Sequence, residues 1–263
     1  MATFAIAYLV LIQTWRAILT SWEASLSLLT AARIWTVSNL GRYVPGKVWQ
    51  IAAMGVLAQK AGVSPVAATG SAVLGTAVNI AAGFLVVMAT GWRLLTLPYA
   101  EAPAVAAAIV GVTVAALLLI PWLAPKALRI AERATGNAVA VKMPPRRAVA
   151  YAVVGNVAAW ILYGLAFQGL TRAMLGAAPG GLASYVAVYT LSYLVGYLVL
   201  PAPAGVGFRE ASMITLMPAA GLATAAQAAI LAIASRVLLT VLDIAPGLIF
   251  LGRDTLRSPS RAP

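Results

Sequence analysis

The sequence predicts an all-α fold: a polytopic membrane helical bundle with two re-entrant helix hairpins in an inverted repeat. Composition is the first observation behind this. Of 263 residues, 62% are hydrophobic and only 9% are charged, and the mean hydropathy is +0.94. A soluble domain of this length could not cover such a core with polar surface. Run length is the second. Several apolar runs reach about 20 residues, the length at which a helix crosses a bilayer. The short alternating strands of a transmembrane barrel are absent. The third is a pair of Pro/Gly breaks that carry charge inside apolar sequence. One is Ser38-Asn-Leu-Gly-Arg-Tyr-Val-Pro-Gly-Lys-Val-Trp-Gln50; the other is Leu200-Pro-Ala-Pro-Ala-Gly-Val-Gly-Phe-Arg-Glu210.

Along the chain, residues 3–18 form an apolar run that is slightly short for a span. A signal peptide would carry its charge at the other end and show a small-residue cleavage site. Residues 19–32 are mixed, and Trp15, Trp22 and Trp35 nearby suit a membrane interface. Residues 32–43 and 48–60 are each too short to cross alone. Between them Pro45 removes a backbone donor and Gly46 permits a sharp turn. A re-entrant hairpin is the economical reading; a single kinked helix with solvent-facing charges is the alternative. Ser64 and Pro65 mark a helix start, as N-cap and first helical residue. That span continues to about Met88, with Trp92 and Arg93 at its far interface. Residues 103–123 are the next span, 126–147 a basic loop ended by Pro144 and Pro145, and 148–170 another span. A Gly/Pro-containing loop at 171–181 follows. Residues 185–200 then lead into the second break at 201–207, a short helix runs from 208 to about 217, and residues 224–251 form the last span.

The formal net charge is +12, which raises the question of nucleic acid. Its placement excludes that partner. The surplus sits in the 126–147 loop and the 253–263 tail, flanking apolar runs, as the positive-inside rule requires. The loop carries Lys126, Arg129, Arg133, Lys142, Arg146 and Arg147 against Glu132 alone. Loop and tail are therefore expected in the cytoplasm of a cell, with a prokaryotic plasma membrane as the expected location. Counting spans outward, the first hairpin opens toward the cytoplasm and the second toward the outside. Opposed hairpins are the mark of an inverted repeat, a recurrent transporter architecture. A sequence echo agrees: Asn79-Ile-Ala-Ala-Gly83 follows the first break and Asp243-Ile-Ala-Pro-Gly247 the second. The expected organisation is one transmembrane domain over 1–263, with repeat 1 at about 32–123, the loop at 124–147, repeat 2 at about 148–252 and the tail at 253–263.

With no cysteine and no histidine, disulfides and thiolate catalysis are excluded, and the commonest general base and metal ligand are missing. No catalytic set, metal site or cofactor is expected. Of six acidic residues, Glu23, Glu101, Glu132 and Asp254 lie in loops or interfaces, whereas Glu210 and Asp243 sit in apolar surroundings. Arg209 and Glu210 follow the Gly205-Val-Gly207 turn. A glycine turn before a helix start exposes free N–H groups to an anion such as phosphate, and an arginine beside it adds a bidentate contact. Alternatively these charges pair with other embedded residues and hold the hairpin together. Arg236 and Asp243 are seven apart; seven residues turn a helix about 700°, so the two share a face to within about 20°. An insertion cost of roughly 2.5–3.5 kcal/mol for each such group is tolerated where the face meets a cavity or a partner. Arg42 and Lys47 suit either a site or simple snorkelling to the headgroups. Gly75, Asn79 and Gly83 read as close helix packing, and Tyr185, Tyr189, Tyr193 and Tyr197 as a core or interface stripe.

At these residues the chain resembles the transmembrane domain of the lysylphosphatidylglycerol synthase/flippase family. The elements that match are Gly41-Arg-Tyr-Val-Pro-Gly46, the 200–210 motif, and Ser235-Arg236 opening the last helix stretch, in an order that covers about residues 15–252. The family's second motif is usually a Pro-Gly-Gly-like turn; here it is Pro201-Ala-Pro-Ala-Gly205. Members often have a further N-terminal helix, expected to be missing or truncated here. The resemblance implies an integral membrane protein that moves lipids between leaflets. The soluble aminoacyl transferase of the best-known members is not seen in this sequence, so synthase activity is not carried over. The positions it marks are Arg42, Pro45, Gly46, Gly205, Gly207, Arg209, Glu210 and Arg236.

The expected function is a flippase-like translocator, not an enzyme. Its substrate is an anionic or aminoacylated phospholipid, or a polyprenyl-phosphate-linked lipid. Arg42, Lys47, Arg209, Glu210, Arg236 and Asp243 are the candidate binding residues, and Pro45, Gly46, Pro203, Gly205 and Gly207 form the hairpin turns. Expected partners are membrane lipids with phosphate-bearing headgroups; a second copy or a lipid-modifying enzyme is a further candidate. The alternatives are a small-solute or ion transporter of the same architecture, marked by a sealed aqueous vestibule, and a non-transporting scaffold, marked by fully paired charges and no cavity.

Overall fold

The structure, a computed structural model, describes residues 2–22, 24–44, 48–96, 144–199 and 202–257. Among the described residues there are eight α-helices, two 3-10 turns and no strand. The first half runs α1 (Ala2–Ser21), α2 (Leu28–Asn39), a 3-10 turn (Leu40–Tyr43), α3 (Val48–Lys60) and α4 (Pro65–Thr96). The second runs α5 (Arg146–Leu175), α6 (Leu182–Leu198), a 3-10 turn (Pro203–Gly205), α7 (Phe208–Ala219) and α8 (Ala225–Arg257).

Local chemistry sets these boundaries. The Ser27 hydroxyl accepts the Thr30 N–H at 3.1 Å and opens α2. Ser64 accepts the Ala67 N–H at 3.3 Å, so Ser64 and Pro65 do start α4. Gly176, at φ 74°, stops α5 in the left-handed conformation that favours glycine. Four helical segments are long and apolar enough to cross a membrane: Ala2–Ser21, Pro65–Gly91, Arg146–Leu175 and Ala225–Arg253.

Several expectations need correction. The first run, expected to be slightly short, is a 20-residue helix of crossing length, because mixed residues up to Ser21 continue it. Helix α5 extends to Leu175, beyond residue 170, since nothing before Gly176 disfavours helix. Ser235 and Arg236 lie well inside α8 rather than opening a stretch. The expected span at 103–123, most of the basic loop, the end of the tail, and Pro45, Gly46 and Lys47 lie outside the described residues.

The polarity of this bundle is the reverse of a soluble one. On α8, Ile230, Ile233, Val237, Val241 and Leu248 recur at helical spacing and are exposed, whereas Ser235 and Asp243 on the other face are buried. Arg209, Asn39 and Asn156 are buried too. Lipid solvates the apolar face, so the polar groups turn inward to find partners. Helix α6 is the centre: Tyr185 to Leu191 are buried without interruption, between α4, α5 and α7.

The two halves share one element order, and their packing is reciprocal. Helix α4 packs on α6, and its counterpart α8 packs on α2, while α1 packs on α5. The unit matching α5–α8 thus begins at α1, ahead of residue 32. The sequence echo marks equivalent crossings. A Cβ on Gly83 would lie 3.2 Å from Leu194 of α6, and one on Gly247 would lie 2.9 Å from the Thr36 carbonyl oxygen of α2. One turn earlier, Asn79 and Asp243 both point to interior partners. Close packing at Gly75 and Gly83 is as the sequence predicts, with Trp15 over one and Trp160 over the other.

Gly247→Val should force α8 off α2 and lower stability by about 1–3 kcal/mol. Gly169→Ala, where an added Cβ meets nothing within 4 Å, should stay within about 0.5 kcal/mol. Thermal unfolding of the purified protein in detergent measures both; equal effects would contradict the crossing.

Candidate functional site

The two breaks come together. The first 3-10 turn touches both the second 3-10 turn and α8, and each break is ordered by a charge carried on α8.

Asp243 orders the first. Its side chain is almost fully buried, and a buried carboxylate needs donors. It accepts from the Tyr8 hydroxyl on α1, from Asn39 Nδ2 at 3.4 Å, from Arg42 Nη1 at 3.0 Å and from the Tyr43 hydroxyl at 3.1 Å. Asn39 Oδ1 in turn accepts from Arg42 Nη2 at 3.3 Å and Gln50 Nε2 at 2.7 Å. Polar groups ahead of the break therefore converge on one carboxylate, and Gln50 beyond it joins them through Asn39.

Arg236 orders the second. Its Nε donates to Glu210 Oε1 at 2.7 Å and its Nη1 to the Ala204 carbonyl at 2.8 Å. Glu210 Oε2 accepts the Gly207 N–H at 2.8 Å. The turn itself requires left-handed backbone at Ala204 (φ 47°), Gly205 (φ 70°) and Gly207 (φ 85°). At Gly205 space also demands glycine, since a Cβ would meet the Gly196 backbone within 2.7 Å. Pairing thus accounts for Glu210 and Arg236 as the bracing alternative anticipates. It also takes one donor from the expected N-terminal nest: the Gly207 N–H is bonded by the helix's own Glu210.

Arg209 is different. It starts α7, is 4% exposed, and lays its guanidinium over the rings of Tyr189 and Tyr193, 5.0 and 5.6 Å from their centroids. Its one hydrogen bond among the described residues runs from Nη2 to Ser235 Oγ at 3.5 Å, and Nε is sealed without a partner. No carboxylate pairs with it among the described residues. Ring faces attract a guanidinium but do not cancel its charge, and arginine does not deprotonate. Arg42, Arg209 and Arg236 set against Asp243 and Glu210 leave one positive charge unbalanced.

Arg42, Arg209, Arg236 and Asp243 all line one cleft. Arg236 and Asp243 do share a face of α8, as their spacing predicts, yet each pairs with a different hairpin. Arg42, Gln50, Tyr193 and Tyr197 also line a second, inner cleft. Sequence reasoning missed Tyr8, Asn39, Tyr43, Gln50 and Ser235, all uncharged. The tyrosine stripe was visible at i,i+4 spacing, and it proves both core, at Tyr185 and Tyr189, and cleft wall, at Tyr193 and Tyr197.

Crossing-length helices around a buried, cationic, aromatic-walled cleft define a polytopic integral membrane protein with an interior polar site. The chain matches the family described as the lysylphosphatidylglycerol synthase TM region over residues 1–247, and it belongs to that family. Its function is accordingly a lipid-related one at the membrane. No curated protein and no solved structure matches it significantly.

Asp243→Asn should destabilise the protein by about 3 kcal/mol, the low end for breaking a buried pair, because the Arg42 side chain keeps 21% of its exposure. Adding Arg42→Met should recover part of that loss, giving a coupling of about 1–3 kcal/mol in a thermodynamic cycle. Strict additivity of the two changes would contradict the pairing.

Proposed function

We propose that this protein moves an anionic lipid between leaflets, with the lipid phosphate held at Arg209. One observation carries the reading: a buried guanidinium without a counter-anion among the described residues lines a cleft where both breaks meet. A phosphate at that point supplies the missing negative charge and accepts charge-assisted hydrogen bonds. Arg42 and Arg236 stand at the same cleft, held in place by Asp243 and Glu210. In this reading the two broken helix pairs are re-entrant hairpins, one opening to each side. The reciprocal packing of the halves supports an alternating movement of one unit against the other, with the acyl chains remaining in the bilayer.

Arg209→Ala should weaken lipid phosphate binding about 10-fold or more, the worth of a charged hydrogen bond. In proteoliposomes it should reduce transbilayer movement of labelled phosphatidylglycerol to the rate of protein-free vesicles. Arg209→Lys, which keeps the charge but loses the ring stacking, should retain part of the activity. Unchanged rates in folded Arg209→Ala protein would overturn the reading.

A further inference from the structure

The inner cleft differs in chemistry from the arginine end. Its walls include the rings of Trp15, Trp35, Trp160 and Tyr163, and Arg42 is the only charged residue that lines it among the described residues. Asn79 donates its amide nitrogen to Asn156 Oδ1 at 2.7 Å, and Gln50 donates its own to Asn39. Among the described residues neither amide oxygen has a donor, and neither is sealed from the cleft. Tyr163 is more than nine-tenths buried. Its hydroxyl makes no hydrogen bond among the described residues and is likewise unsealed, so it opens on the cleft that the residue lines.

Open hydroxyl and amide oxygens beside aromatic faces match a group with hydroxyls along its edge and C–H bonds on its face. Acceptor oxygens and ring faces would suit an ammonium too, but charge tells against one. A cation here would sit beside the Arg42 guanidinium, and like charges in a buried site disfavour one another. The carboxylate that would compensate it, Asp243, already accepts from four residues.

Building on the phosphate reading above, we infer that the inner cleft takes an uncharged, hydroxyl-bearing headgroup, glycerol or a sugar-like ring, and rejects an aminoacyl ammonium. The substrate class is then an anionic lipid with a neutral polyol beyond its phosphate.

The test uses the full chain, purified in detergent and titrated with four lipids. These are phosphatidic acid, phosphatidylglycerol, phosphatidylinositol and lysyl-phosphatidylglycerol. Phosphatidylglycerol or phosphatidylinositol should bind about 10-fold tighter than phosphatidic acid, the difference one well-placed hydrogen bond makes. Whichever of the two binds tighter identifies the polyol as chain or ring. Lysyl-phosphatidylglycerol should bind no tighter than phosphatidic acid. Tyr163→Phe keeps the ring and removes a hydroxyl that has no partner within the described fold; it should erase most of the polyol advantage and leave phosphatidic acid unchanged. Tightest binding of the lysyl lipid would overturn the inference. So would no preference for either polyol lipid over phosphatidic acid, or an equal effect of Tyr163→Phe on all four. Arg209→Ala separates the two levels. If it weakens all four lipids, the phosphate reading stands whatever the headgroup order; if it weakens none, that reading falls and this inference with it.

Discussion

The Asp243 carboxylate draws donors from α1, from the end of α2 and from the first turn, although it is carried on the last helix of the second half. Few single groups could link so much of the chain. An ionised carboxylate in a buried, lipid-surrounded bundle is costly without partners and stable with them. That requirement fixes where the first break sits, which way Arg42 points and how closely α8 must lie to α2. The glycine at the same crossing, Gly247, makes the approach sterically open to it. Packing and charge thus demand the same geometry.

The second break follows related logic with its own members. Arg236 reaches from α8 to the turn carbonyl of Ala204, and Glu210 closes the loop through the Gly207 N–H. With Arg236 and Asp243 committed in this way, Arg209 is the guanidinium of the cleft left over among the described residues. Its tyrosine platform comes from α6, the helix on which α4 of the first half also packs. The cleft is therefore lined from both halves, by Arg42, Tyr43 and Gln50 of the first and by Arg209, Arg236 and Asp243 of the second.

Much of this was legible in the sequence. Helix existence and the two breaks followed from run length and from Pro and Gly, because backbone sterics act locally. The boundaries of α3 and the start of α7 were read closely, since each follows shortly after a glycine in the sequence. The cationic character of the site was readable because Arg42, Arg209, Arg236 and Asp243 are conspicuous in apolar surroundings. Pairing was not readable. Whether Arg236 meets Asp243 on its own helix or Glu210 on another is decided by how helices cross, a long-range property. The uncharged members of the network, Tyr8, Asn39 and Gln50, carried no local signal, because tyrosine and amide residues are unremarkable in sequence and acquire meaning only beside a carboxylate. The end of α5 was misplaced for a related reason: Thr171 and Arg172 interrupt the apolar run, and where the helix stops depends on the later Gly176.

The central claim is that the leftover charge at Arg209 is neutralised by a lipid phosphate. An experimental structure of the full chain in nanodiscs containing anionic phospholipid tests it most directly. The account predicts a phosphate at hydrogen-bonding distance from the Arg209 guanidinium, with its headgroup extending toward Tyr163 and its acyl chains leaving between helices into the bilayer. A carboxylate of the chain itself at that position, or lipid bound only on the outer helix faces, would contradict it.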